Sequence, residues 1–100
     1  MTQPPPGGAP FDLSDDIREL MGLYLEARRA DLARLEAALA SGDLATARAV
    51  GHAFKGSSAP FGFPEAGRIG AELEEAAARG DRGEVERLAA LLRASLPAAG

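Results

Sequence analysis

Residues 52–58 read His-Ala-Phe-Lys-Gly-Ser-Ser and hold both the only histidine and the only lysine of this 100-residue chain. The other ten of its 11 Lys and Arg residues are arginines. Neutral imidazole is a nucleophile near physiological pH. An ammonium one helical turn away can neutralise an oxyanion formed on that ring. On a helix advancing about 100° per residue, Phe54 lies about 200° from His52. Lys55 lies about 60° to one side of His52 and Gly56 about 40° to the other. If Phe54 faces a core, then His52, Lys55 and Gly56 share an exposed face. A surface histidine beside a surface lysine can be no more than a solvated pair. Gly56 is less easily dismissed, because glycine inside a helix costs about 1 kcal/mol relative to alanine. Close approach of another surface would explain it, and so would tight packing within the chain.

The flanking sequence must supply a scaffold for this face. Asp12 or Ser14 can cap a first helix, with Asp15 and Asp16 in its first turn where the helix dipole favours negative charge. Leu13, Ile17, Leu20, Met21, Tyr24, Leu32, Leu35 and Leu39 recur at helical spacing, interrupted by charge near Arg28 and Asp31. The length of this run, about 25 residues or more, leaves room for a bend near its start. Ser41-Gly42 ends it. Asp43 caps a second helix with Leu44, Ala47, Gly51, Phe54, Ser58 and Phe61 on one face and Ala45, Arg48, His52, Lys55, Gly56 and Ala59 on another. Pro60 cannot donate to the Gly56 carbonyl and restricts Ala59, so this helix is expected to kink or end just after the His-Lys motif. A third helix runs from Pro64 to about Arg79, with Ala66, Ile69, Leu73 and Ala76 inward and Gly80 as its stop. A fourth starts at Asp81 and uses Val85, Leu88, Leu91, Leu92 and Leu96 before Pro97. Short Ser-Gly and Gly-Asp connections join antiparallel neighbours. The expected fold is all-α, an up-down antiparallel four-helix bundle over residues 12–97. Residues 1–11, with three consecutive prolines and two glycines, read as a disordered tail.

Composition removes several classes of function. Leu and Ala dominate the apolar content, Val and Ile are scarce and Trp is absent, which favours helices over a sheet. With no cysteine there are no disulfides, thiolate sites or cysteine nucleophiles. One histidine cannot build a structural zinc site, so no metal and no cofactor is expected on this chain. The formal net charge of −4 and the scatter of arginines among carboxylates argue against nucleic-acid binding. No run approaches the roughly 20 apolar residues of a membrane span, and the N-terminus lacks the features of a secretory signal. A cytoplasmic monomer without membrane or nucleic-acid partners is the expectation. No paired carboxylates in a cleft, phosphate-binding loop or triad point to an enzyme.

The motif resembles that of the histidine-containing phosphotransfer (HPt) domain family. That pattern is a histidine, any residue, an apolar residue, Lys-Gly, two small residues, then an apolar residue and Gly three or four positions later. His52, Phe54, Lys55, Gly56, Ser57, Ser58, Phe61 and Gly62 match it without a gap. The stretch GRIGAELEEAA, with Leu73-Glu74, is similar to the family's following helix. The likeness covers most of residues 12–96 and is least specific in the fourth helix. Pro60 departs from the pattern, since the family's helix usually continues there.

The resemblance implies a phosphocarrier rather than a catalyst. His52 would accept a phosphoryl group, through Nε2, from a receiver-domain aspartyl phosphate or a histidine kinase and hand it on. Lys55 would offset the added charge, and Gly56 would leave room for the partner. Arg48, Gly56, Ala59 and Glu74 are the expected partner-facing residues. Any Mg²⁺ would come with the partner receiver. At Glu74 the family often places a polar side chain near the histidine, where it would orient the ring or pair with Lys55 but also repel a phosphoryl group. A solvated helix charge is the plainer reading of Glu74. With its own Met1 and no fused receiver or kinase, the chain is expected to act as a stand-alone phosphorelay intermediate of two-component signalling. The alternative is a non-phosphorylated helical module that docks on a kinase or receiver and inhibits it. That role would not need the His52–Lys55 pair.

Overall fold

The computed structural model describes residues 13–98, and the tail expected over residues 1–11 lies outside them. The described residues form four α-helices and one short 3₁₀ turn, with no strand. They are α1 (Leu13–Ser41), α2 (Leu44–Ser57), α3 (Pro64–Arg79) and α4 (Arg82–Ala94), with the 3₁₀ turn Ala59–Phe61 between α2 and α3. The chain alternates direction from helix to helix. Tyr24 of α1 meets Ser58 just past the end of α2, and Arg28 reaches Ala53 and Ser57. Gly51 of α2 lies against Gly70 and Glu74 of α3, and Gly67 lies near Ser58. Arg82, at the start of α4, reaches the Gly42 carbonyl at the end of α1, while Arg29 of α1 donates to the Pro97 carbonyl. Such antiparallel neighbours define the up-down four-helix bundle.

The helix ends follow their capping residues. Asp43 accepts from the Thr46 amide at 3.0 Å and from its hydroxyl at 2.6 Å, and Asp81 accepts from the Glu84 amide at 3.1 Å. Gly80 closes α3 in the left-handed conformation at φ 74°. Pro60 has the expected effect. α2 stops at Ser57, and the backbone tightens into the 3₁₀ turn before reversing at Gly62, φ 90°.

The core is built from Tyr24, Leu35, Ala47, Val50, Phe54, Ile69, Leu73, Val85, Leu88 and Leu92, all buried, with Ala66, Ala76 and Ala89 filling the closer approaches. The inward stripe expected of α3 is buried throughout. Two expectations fail. Leu91 is 42% exposed, and Ala89 takes the inward place on α4. Ile17 and Leu20 are also exposed, as is Leu23. The room left for a bend in α1 is not used, because it is one uninterrupted helix of 29 residues. At about 1.5 Å per residue α1 is roughly twice as long as α2, so its first turns have no helix of equal length beside them.

A polar inlay interrupts the seam between α1 and α2. The Tyr24 hydroxyl donates to the fully buried Ser58 hydroxyl oxygen at 2.5 Å, and the Tyr24 ring stacks on Phe61 and Phe63. Arg28 packs over the rings of Tyr24 and Phe54, donates to the Ser57 hydroxyl oxygen and pairs with buried Asp31 at 3.1 Å. Arg34 donates to Oδ1 of Asp31 at 3.0 Å, while Oδ2 meets Arg28 only as an ion pair and, like Arg28 Nε, is buried without a hydrogen bond. The charges that break the α1 apolar stripe in the sequence are therefore paired inside the seam, where unpaired charge is costly.

Candidate functional site

The helix-wheel orientation of α2 holds. Ala47, Val50, Gly51 and Phe54 are buried, while Arg48, His52, Lys55 and Gly56 are exposed. Phe54, fully buried between the helices, fixes the rotation of α2 about its axis and so turns His52 outward. The His52 side chain is 71% exposed.

Glu74, from the middle of α3, joins the two chemical residues of α2. Its Oε2 lies 3.0 Å from Nδ1 of His52 and its Oε1 lies 3.3 Å from Nζ of Lys55. The carboxylate is only one-fifth exposed, between two well-exposed partners. Burial works to raise its pKa. The hydrogen bonds and positive charge of His52 and Lys55 outweigh that and hold the carboxyl below its ordinary range. An ionised carboxylate can only accept, so the shared proton belongs to Nδ1 of the imidazole. In the neutral ring this leaves the lone pair on Nε2, which has no hydrogen bond to any described residue. The arrangement is the histidine–carboxylate pairing in which an acid fixes the ring tautomer and balances positive charge on it.

The remaining expected residues fall around this cluster without bonding into it. Arg48 lies exposed one turn before His52, and Gly56 lies exposed one turn after it. A Cβ added at Gly56 would find nothing within 4 Å, so packing within the chain does not explain this glycine. Ala59 is exposed at the start of the 3₁₀ turn. Among the described residues no three of His, Cys, Asp and Glu gather into a metal-sized group, and no helix is long and apolar enough to cross a membrane.

The sequence reading did not single out Gly51 and Gly70 for the site. Each is buried in a helix interior where α2 and α3 cross beside Glu74. Their signal was present as helical glycines with an unexplained propensity cost.

A four-helix bundle that presents one exposed imidazole, with its inner nitrogen held by a carboxylate and its outer nitrogen open, has the architecture of a phosphoryl-carrying domain. The family model of the Hpt domain matches residues 19–99, and the chain belongs to the Hpt domain family. No curated protein and no solved structure matches it. Family membership places the chain among the histidine phosphotransfer domains of two-component signalling, which carry phosphoryl groups rather than catalyse turnover and which interact with receiver domains and kinases.

Proposed function

We propose that this protein is a phosphorelay carrier in which Nε2 of His52 takes a phosphoryl group from a receiver aspartyl phosphate, or from a histidine kinase, and returns it to a second receiver. The observation that carries this reading is the outward, unpaired Nε2 beside an Nδ1 held by Glu74. In the transfer from a receiver, the Nε2 lone pair forms the N–P bond as the acyl-phosphate O–P bond breaks. The electron pair of that bond leaves on the partner's aspartate. The ring becomes cationic and keeps its proton on Nδ1, where the N–H stays hydrogen-bonded to the ionised Glu74. Lys55 stands within one turn to meet the charge of the incoming phosphoryl group, about −1.5 to −2 by analogy with phosphoesters. Transfer of this kind depends on positioning and charge neutralisation, with the receiver supplying its own Mg²⁺. Arg48, Gly56 and Ala59 form the exposed rim that the partner would cover, and Gly56 keeps that rim low beside the imidazole.

The test is incubation with a phosphorylated receiver or an autophosphorylating kinase, followed by detection of acid-labile, alkali-stable phosphate. The expected result is a label on the native chain and none on His52→Gln, with the helical spectrum of both proteins unchanged. Labelling of His52→Gln would overturn the assignment. Partner binding without any labelling of the native chain would favour the non-phosphorylated docking module.

A further inference from the structure

Helices α2 and α3 touch through glycines, and the atoms that touch belong to the residues of the site. A Cβ built on Gly51 would lie 2.7 Å from the backbone nitrogen of Glu74, 2.7 Å from the Gly70 carbonyl oxygen and 3.1 Å from the Glu74 Cα. One built on Gly70 would lie 2.6 Å from Cβ of Phe54, 2.8 Å from the Gly51 carbonyl oxygen and 2.9 Å from the backbone nitrogen of Lys55. All these neighbours are backbone or the stem of a buried ring, so none can swing aside and the helices themselves would have to part. Gly67, one turn before Gly70, is different. A Cβ there would make only ordinary contacts at 3.6–3.8 Å. The tight crossing is therefore local, and it lies beneath His52, Lys55 and Glu74.

We infer that Gly51 and Gly70 are the positioning residues of the site. Their missing side chains let α3 lie close enough to α2 for one carboxylate to take both Nδ1 of His52 and Nζ of Lys55. The inference rests on the phosphocarrier reading for its purpose but not for its geometry. A Glu side chain has a fixed reach, and both of its oxygens are already used at 3.0 and 3.3 Å. Moving α3 outward by about one ångström takes both contacts, the one to Nδ1 included, out of hydrogen-bond range. Once released, the neutral ring reverts to the Nε2–H tautomer that a free imidazole prefers in water. That form has no lone pair on Nε2 to attack phosphorus. The glycines would thus act on the reactive nitrogen through the carboxylate, touching neither the ring nor the phosphoryl group.

The decisive measurement is the tautomer of His52, read from the ¹⁵N shifts of both ring nitrogens in the neutral state. The native protein is expected to hold Nδ1–H as the major form. Gly70→Ala and Gly51→Ala are each expected to turn it into a minor form, with phosphoryl acceptance slowed at least tenfold. Gly67→Ala, which adds the same methyl group to the same helix without a clash, should leave the tautomer native. A merely structural role for the two glycines would lower stability and leave the ring of the folded fraction native. Glu74→Asp keeps the helix crossing but draws the carboxylate back by one methylene, and it should reproduce the tautomer change of Gly70→Ala. This holds the inference open to test even if both glycine variants fail to fold. A native tautomer in Glu74→Asp, or in a folded Gly70→Ala, overturns it. Failure of the native chain to take up phosphate while the tautomer responds as described would reject the phosphocarrier reading and leave the positioning role standing.

Discussion

At the scale of single residues, Lys55 and Gly56 answer to different forces. The Lys55 ammonium is about half exposed and shares Glu74 with the imidazole. An exposed charge of this kind modulates a transition state without carrying it, so Lys55→Ala should slow phosphoryl transfer by less than about tenfold. It should also shorten the phosphohistidine lifetime. Native values for both rate and half-life would reduce Lys55 to a solvated charge. Gly56 has open space around it, so Gly56→Ala should gain up to about 1 kcal/mol of helix propensity. Gly56→Gln should gain somewhat less in thermal stability but lose receiver affinity, because its side chain would stand beside Nε2 under the incoming partner. Normal transfer by Gly56→Gln would show that no surface comes that close.

At the scale of elements, α1 has two unlike halves. Ser14 to Leu20 are all exposed, whereas Tyr24, Asp31, Leu35 and Ala38 are buried against the other helices. Amide exchange should therefore be fast over the first turns of α1 and slow from Tyr24 to Leu39, with the boundary near Leu23. Uniform protection along the helix would mean that something covers Ile17, Leu20 and Leu23. The α1–α2 seam should be sensitive to its polar groups. Tyr24→Phe leaves the buried Ser58 hydroxyl without its partner and should cost about 1 kcal/mol. Arg28→Met removes one of the two guanidinium partners of buried Asp31 and should cost about 1.5–3 kcal/mol by denaturant unfolding. Periodicity made the rotation of α2 legible, because Phe54 is the one large side chain whose burial decides which way His52 points. It does not show how far α1 runs past its neighbours, so Ile17 and Leu20 read as core residues although the core does not reach them. Leu91 fell to the same limit at the edge of the α4 stripe, where a small rotation exchanges leucine for Ala89. In the sequence only the family resemblance places Glu74 near the histidine. Its two bonds depend on the separation of α2 and α3, which no single-helix pattern contains. Arg28 and Asp31 read as a break in an apolar stripe because spacing along α1 does not reveal that Arg28 reaches Ala53 and Ser57 of α2 while pairing with Asp31 on its own helix.

At the scale of the whole molecule, stability should fall toward both acid and alkaline pH. Asp43 is held below its ordinary value of 3.8 by its Thr46 hydrogen bonds, Glu65 below 4.5 by Arg68, and Glu84 below 4.5 by Arg87. Glu74 is also held below 4.5, its burial outweighed by His52 and Lys55. Below those ordinary values the unfolded chain binds more protons than the folded one. The stabilisation is therefore complete above about pH 4.5 and is lost as pH falls through the lower folded values. Tyr24 works in the opposite sense. Burial raises its hydroxyl above 10.0 despite the Ser58 bond and the Arg28 charge. Its contribution is complete below pH 10.0 and is lost as pH rises through the folded value. The thermal midpoint should decline beyond each of these limits. In Glu74→Gln the acid decline should be shallower than in the native chain. Equal acid slopes in the two proteins would show that the His52–Glu74–Lys55 cluster adds nothing to stability.

Tyr24 is the only tyrosine, and the chain has no tryptophan. The ring at the α1–α2 seam, stacked on Phe61 and Phe63, is thus the sole source of near-ultraviolet tyrosine absorption and of long-wavelength intrinsic emission. Every tyrosine signal of this protein is a view of that one joint. Loss of the tyrosine dichroism band, while the far-ultraviolet helix signal persists, would time the undocking of α1 separately from the melting of its helix. The molecule carries a built-in chromophore for the seam, needing no label and lying away from the imidazole.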